Sequence, residues 1–101
     1  MTHRNFNWNE DPHHLYEIVD KMNDDVFKYG ISSDPIGKDG MSDRMRKQVH
    51  LLNRVDEWLR FFARILIRDI PGKQAARILE GEHIRQYEKL HGHKPRGNLR
   101  Y

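Results

Sequence analysis

The chain contains no cysteine, which excludes disulfides and thiolate metal sites and fits a reducing compartment. It has no apolar run near the roughly 20 residues that cross a bilayer. Its start, Met-Thr-His-Arg-Asn-Phe, also lacks the apolar stretch of a secretory signal. No membrane partner is therefore expected, and residue 1 reads as a boundary inside a longer parent protein. Internal repeats and low-complexity segments are missing too. Apolar residues make up only 37% of the 101 and charged residues 33%, so the length allows one domain with a single small core and a large polar surface.

The charge that is present is unevenly placed. Residues 1–43 hold 4 Lys/Arg against 9 Asp/Glu, whereas residues 44–101 hold 14 against 6, so a −5 segment precedes a +8 segment. Basic clustering of this kind is the footprint of phosphate-backbone binding, because each neutralised phosphate releases counterions. A solvated charged face is the plainer reading of the same numbers.

Residues 1–12 are polar and aperiodic, with Phe6 and Trp8 as their large apolar groups. They read as an arm or linker ahead of a domain at 13–101, the two aromatics either tucking against that domain or belonging against a longer parent. Residues 15–20 and 26–32 are rich in β-branched and aromatic types and flank the polar stretch 21–25, the pattern of a β-hairpin. In the second strand, alternation predicts Phe27, Tyr29 and Ile31 on one face and Lys28, Gly30 and Ser32 on the other. Residues 33–40, with Pro35, Gly37 and Gly40, form a loop.

Ser42 is suited to an N-cap, and Asp43 to a first turn where the helix dipole favours an acid. The helix expected from 43 to 55 carries Met45, Val49 and Leu52 at i, i+4 and i+7, a stripe that lies on a sheet. Residues 63–70 read as a third strand, with 58–62 either extending the helix or connecting it. Pro71-Gly72 breaks the pattern, a second helix runs from 73 to 90, and His91-Gly92 ends it. The fold class is therefore α/β (α+β): a small three-stranded antiparallel sheet flanked by helices.

The second helix holds the clearest chemical signal. Ala76, Glu80, Ile84 and Tyr87 share one row, so Glu80 projects from an otherwise apolar line that excludes Glu82 and Glu88. A carboxylate beside a core costs stability unless it is paired or holds a metal, which makes Glu80 a functional candidate. A structural ion pair with a core-edge Arg such as Arg44 is the competing reading.

His14-Leu15-Tyr16 and Lys28-Tyr29-Gly30, with eleven residues between Tyr16 and Lys28, together with Arg44, Glu80 and Asn98 further along, resemble the GIY-YIG nuclease family. The first tripeptide keeps the family's Tyr and the second its Gly, with Lys28 where the usual second Tyr stands. Arg44 resembles the family's helical catalytic Arg, Glu80 its metal-binding Glu and Asn98 its closing Asn. Gln48 stands where many relatives carry His or Tyr. Some restriction-enzyme members use a Lys near the position of Lys28; alternatively Tyr29, one residue later, takes over the missing tyrosine's role.

The resemblance implies phosphodiester hydrolysis at a single Mg²⁺ or Mn²⁺ held by Glu80. Tyr16, helped by Lys28, would deprotonate or orient the attacking water, and Arg44 would neutralise charge developing on the phosphoryl oxygens. Arg46, Lys47, Gln48, Lys94 and Arg96 are the expected nucleic-acid contacts. Histidines are the rival chemistry, but His91 and His93 lie in a Gly/Pro tail without regular zinc-ligand spacing. A compact basic domain of this kind also resembles the C-terminal toxin modules of bacterial polymorphic toxins. DNA, with RNA not excluded, and an immunity protein are then the expected partners. The expected site of action is cytoplasmic, after delivery within a larger secreted protein. The alternative is a non-catalytic nucleic-acid or protein-binding module on the same scaffold, with Lys28 marking a decayed site.

Overall fold

A computed structural model describes residues 9–57 and 59–98. Phe6, Trp8 and most of the arm lie outside these residues, as does Trp58. The element order is β1 (Pro12–Asp20), β2 (Asp25–Ser32), α1 (Asp43–Asp56), β3 (Phe61–Pro71) and α2 (Lys73–His91), followed by a short 3-10 turn at Arg96–Asn98. The sheet is antiparallel with strand order β2-β1-β3. Fold class and element types agree with the sequence reading. α1 ends at Asp56 with Glu57 in the left-handed region (φ 64°), so of the stretch 58–62 Leu59 and Arg60 connect the helix rather than extend it, and Phe61 and Phe62 already belong to β3.

Each face of the sheet carries one helix and one apolar cluster. On the α1 face, Tyr16, Ile18, Met45 and Phe61 are buried together, with Val49 and Leu52 of the predicted stripe packed against them. On the α2 face, Leu15, Ile70 and Ala76 form the cluster, joined by Tyr29, Ile31 and Ile67. A side chain such as Leu15 or Ile18, wholly removed from water, contributes about 1.5–3 kcal/mol.

Two irregularities decide which residues share a face. In the β1–β2 ladder Ile18 pairs with Lys28 but Val19 pairs with Val26, leaving Phe27 as the extra residue of a bulge. Phe27 therefore joins the α1-face cluster and meets the Phe61 ring edge-on at 5.1 Å. The alternation predicted for Phe27, Tyr29 and Ile31 is corrected here: Tyr29 and Ile31 share the α2 face, and Phe27 does not. In β3, Leu15 pairs with Ile67 and Tyr16 with Ile65, so Ile65 and Ile67 pack into opposite clusters despite a spacing of two.

Candidate active site

Ser42 begins α1 in an extended conformation, and its hydroxyl lies 3.0 Å from Nε2 of the buried His14 on β1. The Asp34 carboxylate accepts the Arg44 backbone N–H at 3.2 Å, satisfying one of the amides that a helix start leaves open. These two contacts set the end of α1 that carries Arg44 beside β1 and β2. From the other side, the row on α2 runs as predicted, with Ala76, Ile84 and Tyr87 buried and Glu80 half-buried between them.

The result is a cleft of about 630 Å³. Lys28, Gly30 and Ser32 of β2 line it, as do Arg44 and Lys47 of α1, Lys73, Arg77 and Glu80 of α2, and Asn98 from the 3-10 turn. Three separately predicted groups, Lys28, Arg44 and Glu80, thus converge from three elements. Burial pushes the Glu80 carboxyl up from its ordinary value, against the opposing pull of Lys28, Arg77 and Arg44. Burial lowers the Lys28 amine, and the Arg44 charge lowers it further, while Glu80 opposes both. One half-buried carboxylate facing an open cleft fits a hard divalent ion such as Mg²⁺, which takes one or two carboxylates and completes its shell with water and phosphate oxygen. No cluster of three or more His, Asp or Glu capable of an all-protein cage occurs among the described residues.

Tyr16 lies beneath the cleft rather than on its wall. It is fully buried, and its hydroxyl donates to Oε1 of Gln48 at 2.6 Å. Burial raises the phenol's pKa, while the Arg44 guanidinium pulls against that rise. Gly30 sits directly across the ladder from Tyr16, and a Cβ built on Gly30 would strike the tyrosine ring. The glycine of the second tripeptide is thus the space in which the tyrosine of the first one lies.

Tyr29 is turned to the other face, where its ring meets His83 edge-on at 5.4 Å. Its phenol is raised by burial and by the nearby carboxylates of Glu17 and Asp25. Asn98 grips the Tyr29 backbone at both ends: its Oδ1 accepts the Tyr29 N–H at 2.8 Å and its Nδ2 donates to the Tyr29 carbonyl at 3.0 Å.

The expected nucleic-acid contacts divide. Lys47 lines the cleft, and Gln48 reaches Tyr16 below it. Arg46 instead binds Asp39 at 2.7 Å, Asp43 at 2.7 Å and the Met41 carbonyl at 2.8 Å. Arg96 donates to the buried Asp20 at 2.6 Å. Neither Arg46 nor Arg96 borders the cleft, because each is drawn to a carboxylate of the acidic first segment; Lys94 is half-buried and also outside its lining. Sequence reasoning missed Lys73 and Arg77. Their signal was available: residues 73, 77, 80 and 84 fall at i, i+4, i+7 and i+11, one helical row through Glu80.

A family model described as URI fold toxin 2 (Tox-URI2) matches residues 6–92. No curated protein and no solved structure matches the chain.

Proposed function

The chain belongs to the Tox-URI2 family and is a toxin effector module, and from that premise we propose that it is a divalent-metal-dependent endonuclease of GIY-YIG type. The observation that carries this reading is the convergence of Lys28, Arg44 and Glu80 on one cation-rich cleft, in the chain order of that nuclease pattern. DNA is the proposed substrate, with RNA as the second arm of the test. The proposed setting is the cytoplasm of a target cell, reached as part of a larger secreted protein. An immunity protein is the proposed protective partner.

In this mechanism the neutral Lys28 amine takes a proton from the attacking water as the water oxygen bonds to phosphorus and the ester oxygen leaves. The depressed pKa of Lys28 raises the fraction of amine able to do this. Arg44 offers a rigid fork of donors to the phosphoryl oxygens, where charge grows in the transition state. Tyr16, held by Gln48 and acted on by Arg44, positions that guanidinium from below. Glu80 would hold Mg²⁺ or Mn²⁺, which when bound supplies Lewis-acid stabilisation of the leaving oxygen.

A second reading, a binding module without hydrolysis, is favoured by the full burial of the Tyr16 hydroxyl, which leaves that group without access to water in the cleft. Purified protein incubated with plasmid DNA and with RNA, in Mg²⁺ or Mn²⁺ and in chelator, separates the two. The nuclease reading expects cleavage that chelator abolishes. Salt-sensitive binding with no cleavage of either nucleic acid supports the binding module and sinks the nuclease.

A further inference from the structure

We infer that residues 94–98 form a positioning strap for Lys28, clasped shut by the ion pair between Arg96 and Asp20. The inference rests on the nuclease reading in assigning Lys28 a chemical role. Its geometry stands apart from that reading.

β2 is an edge strand, so β1 supports Lys28 from one side only. The strap supplies the missing support at three consecutive residues. Over Phe27, the Arg96 guanidinium stacks at 5.3 Å from the ring centre. At Lys28, the backbone of Gly97 comes so close that a Cβ there would sit 2.8 Å from the Lys28 Cβ and 2.7 Å from the Phe27 ring. At Tyr29, the Asn98 amide occupies both the N–H and the carbonyl of the strand, as a neighbouring strand residue would. The root of Lys28 is thus confined between two gripped neighbours and a backbone laid against it, which limits where its amine can point.

The clasp is built on a carboxylate with no solvent exposure. Asp20 ends β1, and its Oδ2 accepts from Arg96 Nη2 at 2.6 Å. Arg60 holds the same carboxylate through both oxygens at 2.8 Å, and the Met22 N–H adds a further bond at 3.0 Å. Because Arg60 and Met22 keep Asp20 partnered when Arg96 is removed, Arg96→Ala opens the strap without leaving a bare buried charge. Arg96 therefore acts through Lys28, as a positioning residue, and not through contact with phosphate.

The test compares Arg96→Ala, Arg96→Lys and Gly97→Ala with the parent chain. Amide hydrogen exchange at Tyr29 reads docking of the strap directly, and an NMR titration of the Lys28 amine reads its surroundings; neither needs activity. Arg96→Ala should speed Tyr29 exchange by roughly tenfold or more and move the Lys28 titration back toward the ordinary lysine value. It should lower kcat by about tenfold with KM and the salt dependence of binding unchanged. Arg96→Lys should restore part of each change, and Gly97→Ala should reproduce the loss by prising the strap off Lys28. Unchanged Tyr29 exchange and Lys28 titration in Arg96→Ala would overturn the strap. A loss confined to KM, with a weaker salt dependence, would likewise overturn it, by making Arg96 a phosphate contact. If the parent chain cleaves nothing, the nuclease reading falls while exchange and titration still decide the strap.

Discussion

Arg46, Arg60 and Arg96 each end on a carboxylate, at Asp39 and Asp43, at Asp20 and Asp56, and at Asp20. Lys28, Arg44, Lys47 and Arg77 instead border a cleft, and among the described residues none of these four is in a salt bridge. All but Lys28 of these seven cations belong to the same basic segment, yet they serve opposite ends. The first set ties the chain together: Asp20 gathers Arg60 from just before β3 and Arg96 from the strap, 40 and 76 positions away. The second set leaves positive charge uncancelled around Glu80. A count of charge along the sequence therefore overstates what is available to a polyanion, because ion pairing has already neutralised part of it locally.

The largest effect is expected from removing the carboxylate at the centre of the unpaired set. Glu80→Ala should lower cleavage by roughly 10³-fold or more, several kcal/mol of transition-state stabilisation, with the thermal melt preserved. Glu82→Ala, on an exposed position two residues away, should cleave normally. An active Glu80→Ala beside an inactive Glu82→Ala would undo the assignment.

Lys28→Ala should cost about 10²- to 10⁴-fold in kcat, the range for a general base, with little loss of stability. In the parent chain kcat should rise with pH as the amine deprotonates. The midpoint should lie below the ordinary lysine value of about 10.4, because burial and Arg44 lower it, and this limb should vanish in Lys28→Ala. Tyr29→Phe should remain active, since its ring faces the other cluster, while Tyr29→Ala should destabilise the domain by about 2 kcal/mol. An inactive, well-folded Tyr29→Phe beside an active Lys28→Ala would transfer the role to Tyr29.

For the paired set the expected effect is on folding. Asp20→Asn removes the charge that two guanidiniums share, and Tm should fall by roughly 10 °C. Arg60 and Arg96 hold the Asp20 carboxyl well below the usual carboxylate range. A depressed acid stabilises the fold fully above its unfolded value of about 3.9 and loses that contribution as pH falls through the folded value. Parent Tm should thus be insensitive to this group above about pH 4 and drop in stronger acid, and Asp20→Asn should lack that acid slope. Equal slopes in both proteins would remove Asp20 from the account.

The smallest effects concern binding. Affinity for nucleic acid should fall about tenfold or more between low and physiological salt. Lys47→Ala and Arg77→Ala should each flatten the salt slope by about one phosphate contact. Arg46→Ala should leave the slope unchanged, because Asp39 and Asp43 already occupy its guanidinium. A flattened slope in Arg46→Ala would show that the pairing yields to phosphate.

Element types, their order and most of their limits follow from neighbours a few residues apart and were legible along the chain. Ser42 opens α1, Gly72 separates β3 from α2, and Gly92 stops α2 in the left-handed region at φ 81°. The row that Glu80 shares with Ala76, Ile84 and Tyr87 was legible too, since helical period alone aligns them. The remainder came from packing between distant segments. The bulge at Phe27 depends on pairing with β1 and moves that ring to the other face of the sheet. Closure of the Tyr16 hydroxyl onto Gln48 depends on α1 lying across β1, 32 residues on. Which arginines face a cleft and which are claimed by carboxylates depends on where the acidic first segment folds back on the basic second one. The pairings of Arg60 and Arg96 with Asp20 are made across 40 and 76 positions by packing, and no local period encodes them. Asp43–Arg46, at i,i+3 within α1, is by contrast a pair that the helical period does encode, and Asp56–Arg60 is likewise local at i,i+4.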